Sequence, residues 1–342
     1  MGQKKEVKLE DIANELGVSI VSVSNALKGK KGVSENLRLR VEKKAEEMGY
    51  SLPKKNDFTE QKVYRIGIII AERYVKEYPS FYMEIYKYAA QEATKKGSLT
   101  MLEIISTERE RLENFTPPFL ETEVQGIMII GELEEKYFSV LRQSYQNPVV
   151  CVDFYSTDND LDYVVTDSYH GMQTVTQKLI DSGHTDIGFV GTPQVTHSIM
   201  DRYMGYCKAL CANGIQERED RLILDRSADR YQYQIDFNLP NNLPTAFACN
   251  CDKSAYVLIE KLAKRGYRVP EDISVVGFDY FYTTMQGNVR LTTYESDIKA
   301  MAHLSVKLLM KRMEGKTEPS GVRVVRGQVI EGDTVRKISP QK

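Results

Sequence analysis

Up to about residue 50 the apolar positions recur at helical spacing; beyond residue 65 they gather into short continuous runs. Leu9, Ile12, Ala13 and Leu16 share one helical face, Val23, Ala26 and Leu27 a second, and Leu37, Val41, Ala45 and Met48 a third. Gly17-Val18-Ser19 breaks the first stripe from the second as a tight turn, and Ser19 offers an N-cap oxygen to the next helix. Gly29 and Gly32 mark a loop, Ser34 caps a third helix and Gly49 ends it. A small residue, Ala13, permits a close crossing of the first two helices. Helix, glycine-centred turn and serine-capped second helix together predict a helix-turn-helix rather than a generic bundle.

Residues 52–63 are polar, with Pro53, Lys54, Lys55, Asn56 and Asp57, and read as a linker. Apolar runs then follow at 66–70, 126–130, 149–152, 187–190, 246–249 and 273–276. Amphipathic stretches at 82–96, 171–182, 202–213, 254–265 and 298–314 separate most of them. Strands alternating with helices predict parallel sheets covered by helices on both faces. Ligands in such folds bind beyond the carboxyl ends of the strands, so the residues after each run are the candidates.

Composition narrows the function. With 342 residues, 42% hydrophobic and 27% charged, the chain can build more than one ordinary core. The sequence has no apolar run long enough to span a membrane and no secretory h-region at Met1–Glu6, which predicts residence in the cytoplasm. Cys151, Cys207, Cys211, Cys249 and Cys251 have neither disulfide-framework nor zinc-knuckle spacing, so no metal and no cofactor is expected. The nucleophile-elbow, zincin, P-loop and dinucleotide motifs are absent, and His170, His184, His197 and His303 form no catalytic pattern, so an enzyme is not expected. Net charge is −2. Residues 1–55 hold twelve Lys/Arg against eight Asp/Glu, a local bias that permits phosphate contacts without demanding them.

The stretch Val7-Lys-Leu-Glu-Asp-Ile-Ala-Asn-Glu-Leu-Gly-Val-Ser-Ile-Val-Ser-Val-Ser-Asn-Ala-Leu-Lys-Gly-Lys30, followed by Gly32-Val-Ser34 and Glu46-Glu-Met-Gly-Tyr50, closely resembles the lactose-repressor (LacI/GalR) family. The resemblance runs on through Ser80-Phe-Tyr82, Asp181-Ser-Gly-His184, Ile187-Gly-Phe-Val-Gly191, Arg202-x-x-Gly205-Tyr206, Val269 to Asp279 and Leu291-Thr-Thr293. It implies an all-α DNA-binding head (1–52), a hinge (53–64) and a two-lobed α/β core like the periplasmic sugar-binding proteins (65–342). Lobe 1 is expected over about 65–182 and 293–323, and lobe 2 over about 183–292 and 324–342. It also implies a homodimer, whose two heads match a palindromic operator, a small carbohydrate-like effector, and a repressor as the commoner regulatory sign.

By the same resemblance the helix starting at Ile20 enters the major groove. Asn25 is then the adenine reader, because its amide can pair bidentately with N6 and N7, while Ile20 and Val21 can only sense shape and thymine methyls at an A·T-rich step. Ser19, Ser22, Ser24, Lys28 and Lys30 are the phosphate candidates. Two departures stand out. Lys8 replaces the usual Thr N-cap, and residues 53–63 lack the Ala-Arg-x-Leu-like hinge segment, leaving Phe58 as the available apolar wedge.

For the effector, Arg202 and Asp279 fall at positions that bind it in the family: a planar guanidinium fork suits vicinal hydroxyls or a carboxylate, and a strand-end carboxylate suits hydroxyls. A mutual salt bridge is the competing role for both. Phe81 and Tyr82 can stack on a ring or pack as core. Asp167 can line the cleft or cap a helix. Asp252 aligns with a ligand-side Asp, but Cys251 stands before it where the family often has Asn, with Asn250 one place earlier. Tyr280 and Tyr282 are further aromatic candidates in a chain with 21 Tyr and no Trp. Two other readings compete: control by a phosphoprotein co-regulator, and a sugar-binding transport receptor, which would leave the helix-turn-helix unexplained.

Overall fold

The computed structural model describes residues 7–27, 33–50, 63–76, 80–112, 115–158, 160–229, 234–281 and 289–339. The chain divides into two compact units, 1–62 and 63–342. Lys28, Lys30, Phe58 and Tyr282, with nearly all of the hinge, lie outside the described residues.

The first unit holds α1 (Leu9–Leu16), α2 (Ile20–Leu27) and α3 (Glu35–Glu47). Ile12, Ala13, Val23, Ala26, Val41 and Ala45 are its buried core, the residues at the centre of the three apolar stripes. Gly17 takes a left-handed φ of 65°, which lets Val18 N–H reach back to the Ala13 carbonyl at 3.1 Å and stops α1. Lys8 makes no side-chain cap, but the Asp11 carboxylate accepts the Lys8 N–H at 2.7 Å and anchors the first turn from the other end of a capping box.

The second unit contains two six-stranded sheets. Its strands are β1 (Arg65–Ala71), β2 (Leu99–Ile105), β3 (Gly126–Ile130), β4 (Val149–Val152), β5 (Asp162–Thr166), β6 (Ile187–Val190), β7 (Leu222–Ile223), β8 (Ala246–Cys249), β9 (Ser274–Asp279), β10 (Thr292–Glu295), β11 (Gly321–Val325) and β12 (Gln328–Ile330). Its helices are α4 (Phe81–Lys95), α5 (Thr107–Glu110), α6 (Glu135–Ser144), α7 (Ser168–Asp181), α8 (His197–Ala212), α9 (Asp252–Lys264) and α10 (Ile298–Met313). Sheet order is β11-β5-β4-β3-β1-β2 in the first lobe and β12-β10-β9-β8-β6-β7 in the second; the β10–β12 pair is antiparallel and the other pairs are parallel.

The lobes exchange chain three times: after β5, between β10 and α10, and between β11 and β12. The first crossing falls at Asp167, not near residue 182. The reason is packing: Met172, Val175 and Leu179 of α7 enter the second lobe's core with Phe189, Tyr206 and Phe278. The second crossing likewise follows β10, so Thr293 belongs to the second sheet. Helices α7 and α8 meet so closely that a Cβ on Gly205 would stand 2.1 Å from the Tyr169 carbonyl oxygen, which explains a glycine inside α8.

Candidate functional site

In the head, Ser19 Oγ accepts the Ser22 N–H at 3.1 Å and pairs with Ser22 Oγ at 2.8 Å, fixing the start of α2. Val23 and Ala26 face the core, which turns Ile20 and Val21 outward, 46% and 67% exposed. They are not core residues. Two apolar side chains presented to solvent at a helix N-terminus suit a partner surface better than water. Ser22, Ser24 and Asn25 are half-buried on the same short helix, with Asn25 one turn beyond Val21.

In the core, the carboxyl ends of both sheets face one cleft. First-lobe residues Arg73, Tyr74, Phe81, Tyr82 and Asp153 line it together with second-lobe residues such as Arg202, Arg226, Cys251, Asp252, Asp279 and Phe281. Of the sequence-predicted residues, Phe81, Tyr82, Arg202, Cys251, Asp252 and Asp279 therefore converge here. Asp167 does not. Its carboxylate caps α7, accepting the His170 N–H at 3.3 Å, because the chain turns into that helix before reaching the cleft.

Arg202 and Asp279 form the mutual ion pair anticipated as the competing role, while still lining the cleft. The guanidinium donates to Asp279 Oδ1 at 2.9 Å and Oδ2 at 3.3 Å, and to the Asn250 carbonyl at 2.7 Å. It stacks over the Phe278 ring at 4.0 Å. Burial opposes its charge, but Asp279 and Asp153 outweigh this and hold its pKa above the ordinary arginine value. Asp279 and Tyr280 have φ of 98° and 50°, so the chain leaves β9 through two left-handed residues. Such backbone strain persists only where neighbours hold it; here the Ser296 N–H and hydroxyl donate to the Asp279 carbonyl (3.2 Å) and Oδ1 (3.3 Å).

Asp252 is spent on the protein. Thr293 Oγ1 donates to its Oδ1 at 2.6 Å and the Phe281 N–H to its Oδ2 at 3.1 Å, and burial pushes its carboxyl well above the usual range. It positions the Phe281 segment. Asn250 is likewise internal: its amide donates to Asp225 at 2.7 Å and to the Val190 carbonyl at 3.0 Å. Cys251 Sγ sits 3.3 Å from Ser254 Oγ, and burial raises its thiol pKa. Phe81 meets Phe281 edge-on at 5.9 Å across the cleft. Tyr280 is 38% exposed.

The residue that the sequence reading passed over is Asp153. It stands directly after β4, where the strand-end rule points. Its φ is 65° and it is buried. Tyr82 OH donates to Oδ2 at 3.1 Å, while Oδ1 has no hydrogen-bond partner. Burial, opposed by Arg202 and reinforced by Asp279 and Glu132, pushes its carboxyl up to about 7. Arg226 was also passed over: Asp225 grips it from Nε at 3.0 Å and Nη2 at 2.7 Å in a fully buried fork. Among the described residues no group of His, Cys, Asp and Glu is arranged to hold a metal ion, and no helix is long and apolar enough to cross a membrane.

Residues 8–52 match the bacterial regulatory proteins of the lacI family, and residues 176–335 match the periplasmic binding protein-like domain. Among curated relatives, the HTH-type transcriptional repressor PurR of Pasteurella multocida (strain Pm70) is 24% identical over 326 residues, covering 94% of this chain and 96% of that protein. The HTH-type transcriptional repressor CytR of Escherichia coli (strain K12) is 25% identical over 333 residues, covering 96% of each. Two solved structures share the fold: a transcriptional regulator CelR–cellobiose complex (TM-score 0.68, 21% identity, 96% of this chain and 99% of that one) and a lac repressor dimer bound to operator and the anti-inducer ONPF (TM-score 0.66, 20% identity, 97% and 100%). With a head that matches over its whole helical span, a two-lobed core of the expected kind and relatives aligned nearly end to end, the chain joins a lacI-family regulatory head to a periplasmic binding protein-like core.

Proposed function

We propose that this regulator is a cytoplasmic, homodimeric repressor without enzymatic activity, whose operator affinity is set by an uncharged, hydroxyl-rich small molecule, a carbohydrate or close analogue, held between the lobes. The observation that carries the ligand class is the disposition of charge in the cleft. Arg73 is paired with Glu110, Arg202 with Asp279 and Arg226 with Asp225. Burial holds the Lys253 ammonium below the ordinary lysine value. Among the described cleft residues, Asp153 Oδ1 is a buried carboxylate oxygen with no hydrogen-bond partner. A cleft whose guanidinium groups are already paired with carboxylates and which keeps an unpartnered carboxylate oxygen favours a donor of hydroxyls over an anion. Phe81 and Phe281 supply the apolar faces. The cellobiose complex among the structural neighbours agrees with this class.

The dimer reading rests on β2, an edge strand with Leu99 and Met101 exposed by 58% and 39% on one face. An apolar edge strand needs cover, and a second copy provides it. Two heads on a two-fold axis then supply the surface that a single small head lacks. Ligand alters operator affinity to the extent that it binds one lobe arrangement better than another.

Two measurements test this. Operator selection with the full chain is expected to return A·T-containing palindromic sites, and Asn25→Ala is expected to relax one base of each half-site at a cost of about 1–3 kcal/mol in discrimination. An unchanged preference in the variant removes Asn25 as a base reader. In a thermal-shift panel, neutral sugars are expected to raise the melting temperature and the same sugars carrying a phosphate are not. A shift confined to the phosphorylated members, or to a phosphoprotein, overturns the ligand class.

A further inference from the structure

Beside the cleft, four polar side chains bridge the lobes directly. Glu132 follows β3 and Tyr155 follows β4, both in the first lobe; His197 and Asp201 lie one turn apart on α8 in the second. His197 Nδ1 stands 3.1 Å from Glu132 Oε2, and the His197 N–H donates to the same oxygen at 3.3 Å. Tyr155 OH lies 2.9 Å from Asp201 Oδ1 and 3.2 Å from Oδ2. The Tyr155 and His197 rings pack with centroids 4.9 Å apart, tying the two links together. Residues spaced by four share a helix face, so His197 and Asp201 reach the opposite lobe side by side, while Ser198, Ile199 and Arg202 on the adjacent face line the cavity. None of the four bridging residues lines the cavity itself.

The first-lobe side of this bridge is rigidly held: Arg73 donates to the Glu132 carbonyl, as does Tyr74 OH at 3.0 Å. Glu132 is largely desolvated and Asp201 is half-buried. The Glu132 side chain is 11% exposed, and burial raises the Asp201 carboxyl despite Tyr155, His197 and Arg202. Both links are part-buried and each has a carboxylate as acceptor; such charge-assisted hydrogen bonds are the strong ones, and both must break for the lobes to part.

We infer that Glu132, Tyr155, His197 and Asp201 form an interlobe clasp that holds the cleft shut before any ligand arrives, making them positioning residues that set how much of the protein is open to receive one. The consequence for affinity rests on the reading of the cleft as a ligand site, but the clasp itself does not. Apparent affinity falls with the fraction of molecules in the competent state, so residues that never touch the ligand tune the concentration at which the regulator responds.

Amide hydrogen exchange on the full-length protein, without ligand or DNA, tests the clasp separately from the ligand class. In the double variant Tyr155→Phe, His197→Ala, the cleft-side amides of Met83, Ile199 and Phe281 are expected to exchange about tenfold faster, while amides in β3 and β8 at the sheet centres keep their protection. His197→Asn, whose amide can donate to Glu132 in place of Nδ1, is expected to exchange like the unaltered protein. Unchanged cleft amides in the double variant overturn the clasp. Equal acceleration at the sheet centres overturns it too, by assigning the residues to folding rather than closure, and failure of His197→Asn to restore protection removes the polar link.

Discussion

Arg202→Ala is expected to destabilise the core by about 3–5 kcal/mol, the cost of breaking a buried pair and leaving its partner charged and alone. Arg202 is 4% exposed and serves Asp279, the Asn250 carbonyl and the Phe278 ring at once. Truncation strands all three. The Asp279 carboxylate loses the cation that justifies its position, and the left-handed turn at Asp279–Tyr280 keeps Ser296 and the Asp252–Phe281 bond but loses the guanidinium that grips it. A fall in the urea midpoint without a change in its slope reads this loss. Arg202→Lys is not expected to rescue, because an ammonium cannot span both carboxylate oxygens and the Asn250 carbonyl from one plane. Arg202→Met separates stability from ligand recognition: it fills the space over Phe278, is expected to recover part of the stability, and still fails to respond to any neutral sugar that shifts the unaltered protein. A Met variant with full ligand response would confine Arg202 to the salt bridge.

The sequence carries the helix-turn-helix and the central strands because burial there is dictated locally. Ile12, Val23 and Val41 can only face inward at their spacing, and runs such as Ile66–Ile70 are apolar throughout because both faces of a central parallel strand are covered. Strands at the margins are harder to see. β2 mixes exposed Leu99 and Met101 with Thr100 and Glu103, and β7, β10, β11 and β12 are two to five residues long; their place is fixed by the neighbour they pair with. The lobe boundary is hidden in the sequence for a related reason, since α7 has an apolar stripe that would fit either sheet and long-range packing decides. At the site, the residues carried by family resemblance converge on the cleft except Asp167. What resemblance and pattern could not separate is whether a polar side chain is spent or available. Asp252 and Asp153 are both strand-end aspartates, and a hydrogen-bond inventory in three dimensions distinguishes the internally satisfied one from the one with an open oxygen.

Asp153→Asn is expected to separate stability from ligand binding through pH. With its carboxyl at about 7 in the folded protein against 3.8 for the ordinary group, the folded state takes up a proton more readily than the unfolded chain. That contribution is fully present below pH 3.8 and is lost as pH rises through about 7, so this residue makes stability fall across that window. The isosteric amide carries no such charge, and the variant is expected to be relatively more stable above neutrality, with the slope removed. Ligand binding runs the other way. A hydroxyl donated to Oδ1 favours the ionised carboxylate, so affinity for a neutral sugar is expected to rise with pH through about 7, and binding near neutrality to release a proton. Calorimetry in buffers of different ionisation enthalpy measures that release. The amide of the variant still offers a carbonyl, but a hydrogen bond to a charged group contributes about 1.5–3 kcal/mol, so its loss is expected to weaken binding by roughly tenfold to a hundredfold and to flatten the pH profile. The same pH slope in Asp153→Asn would place the titrating group elsewhere in the cleft.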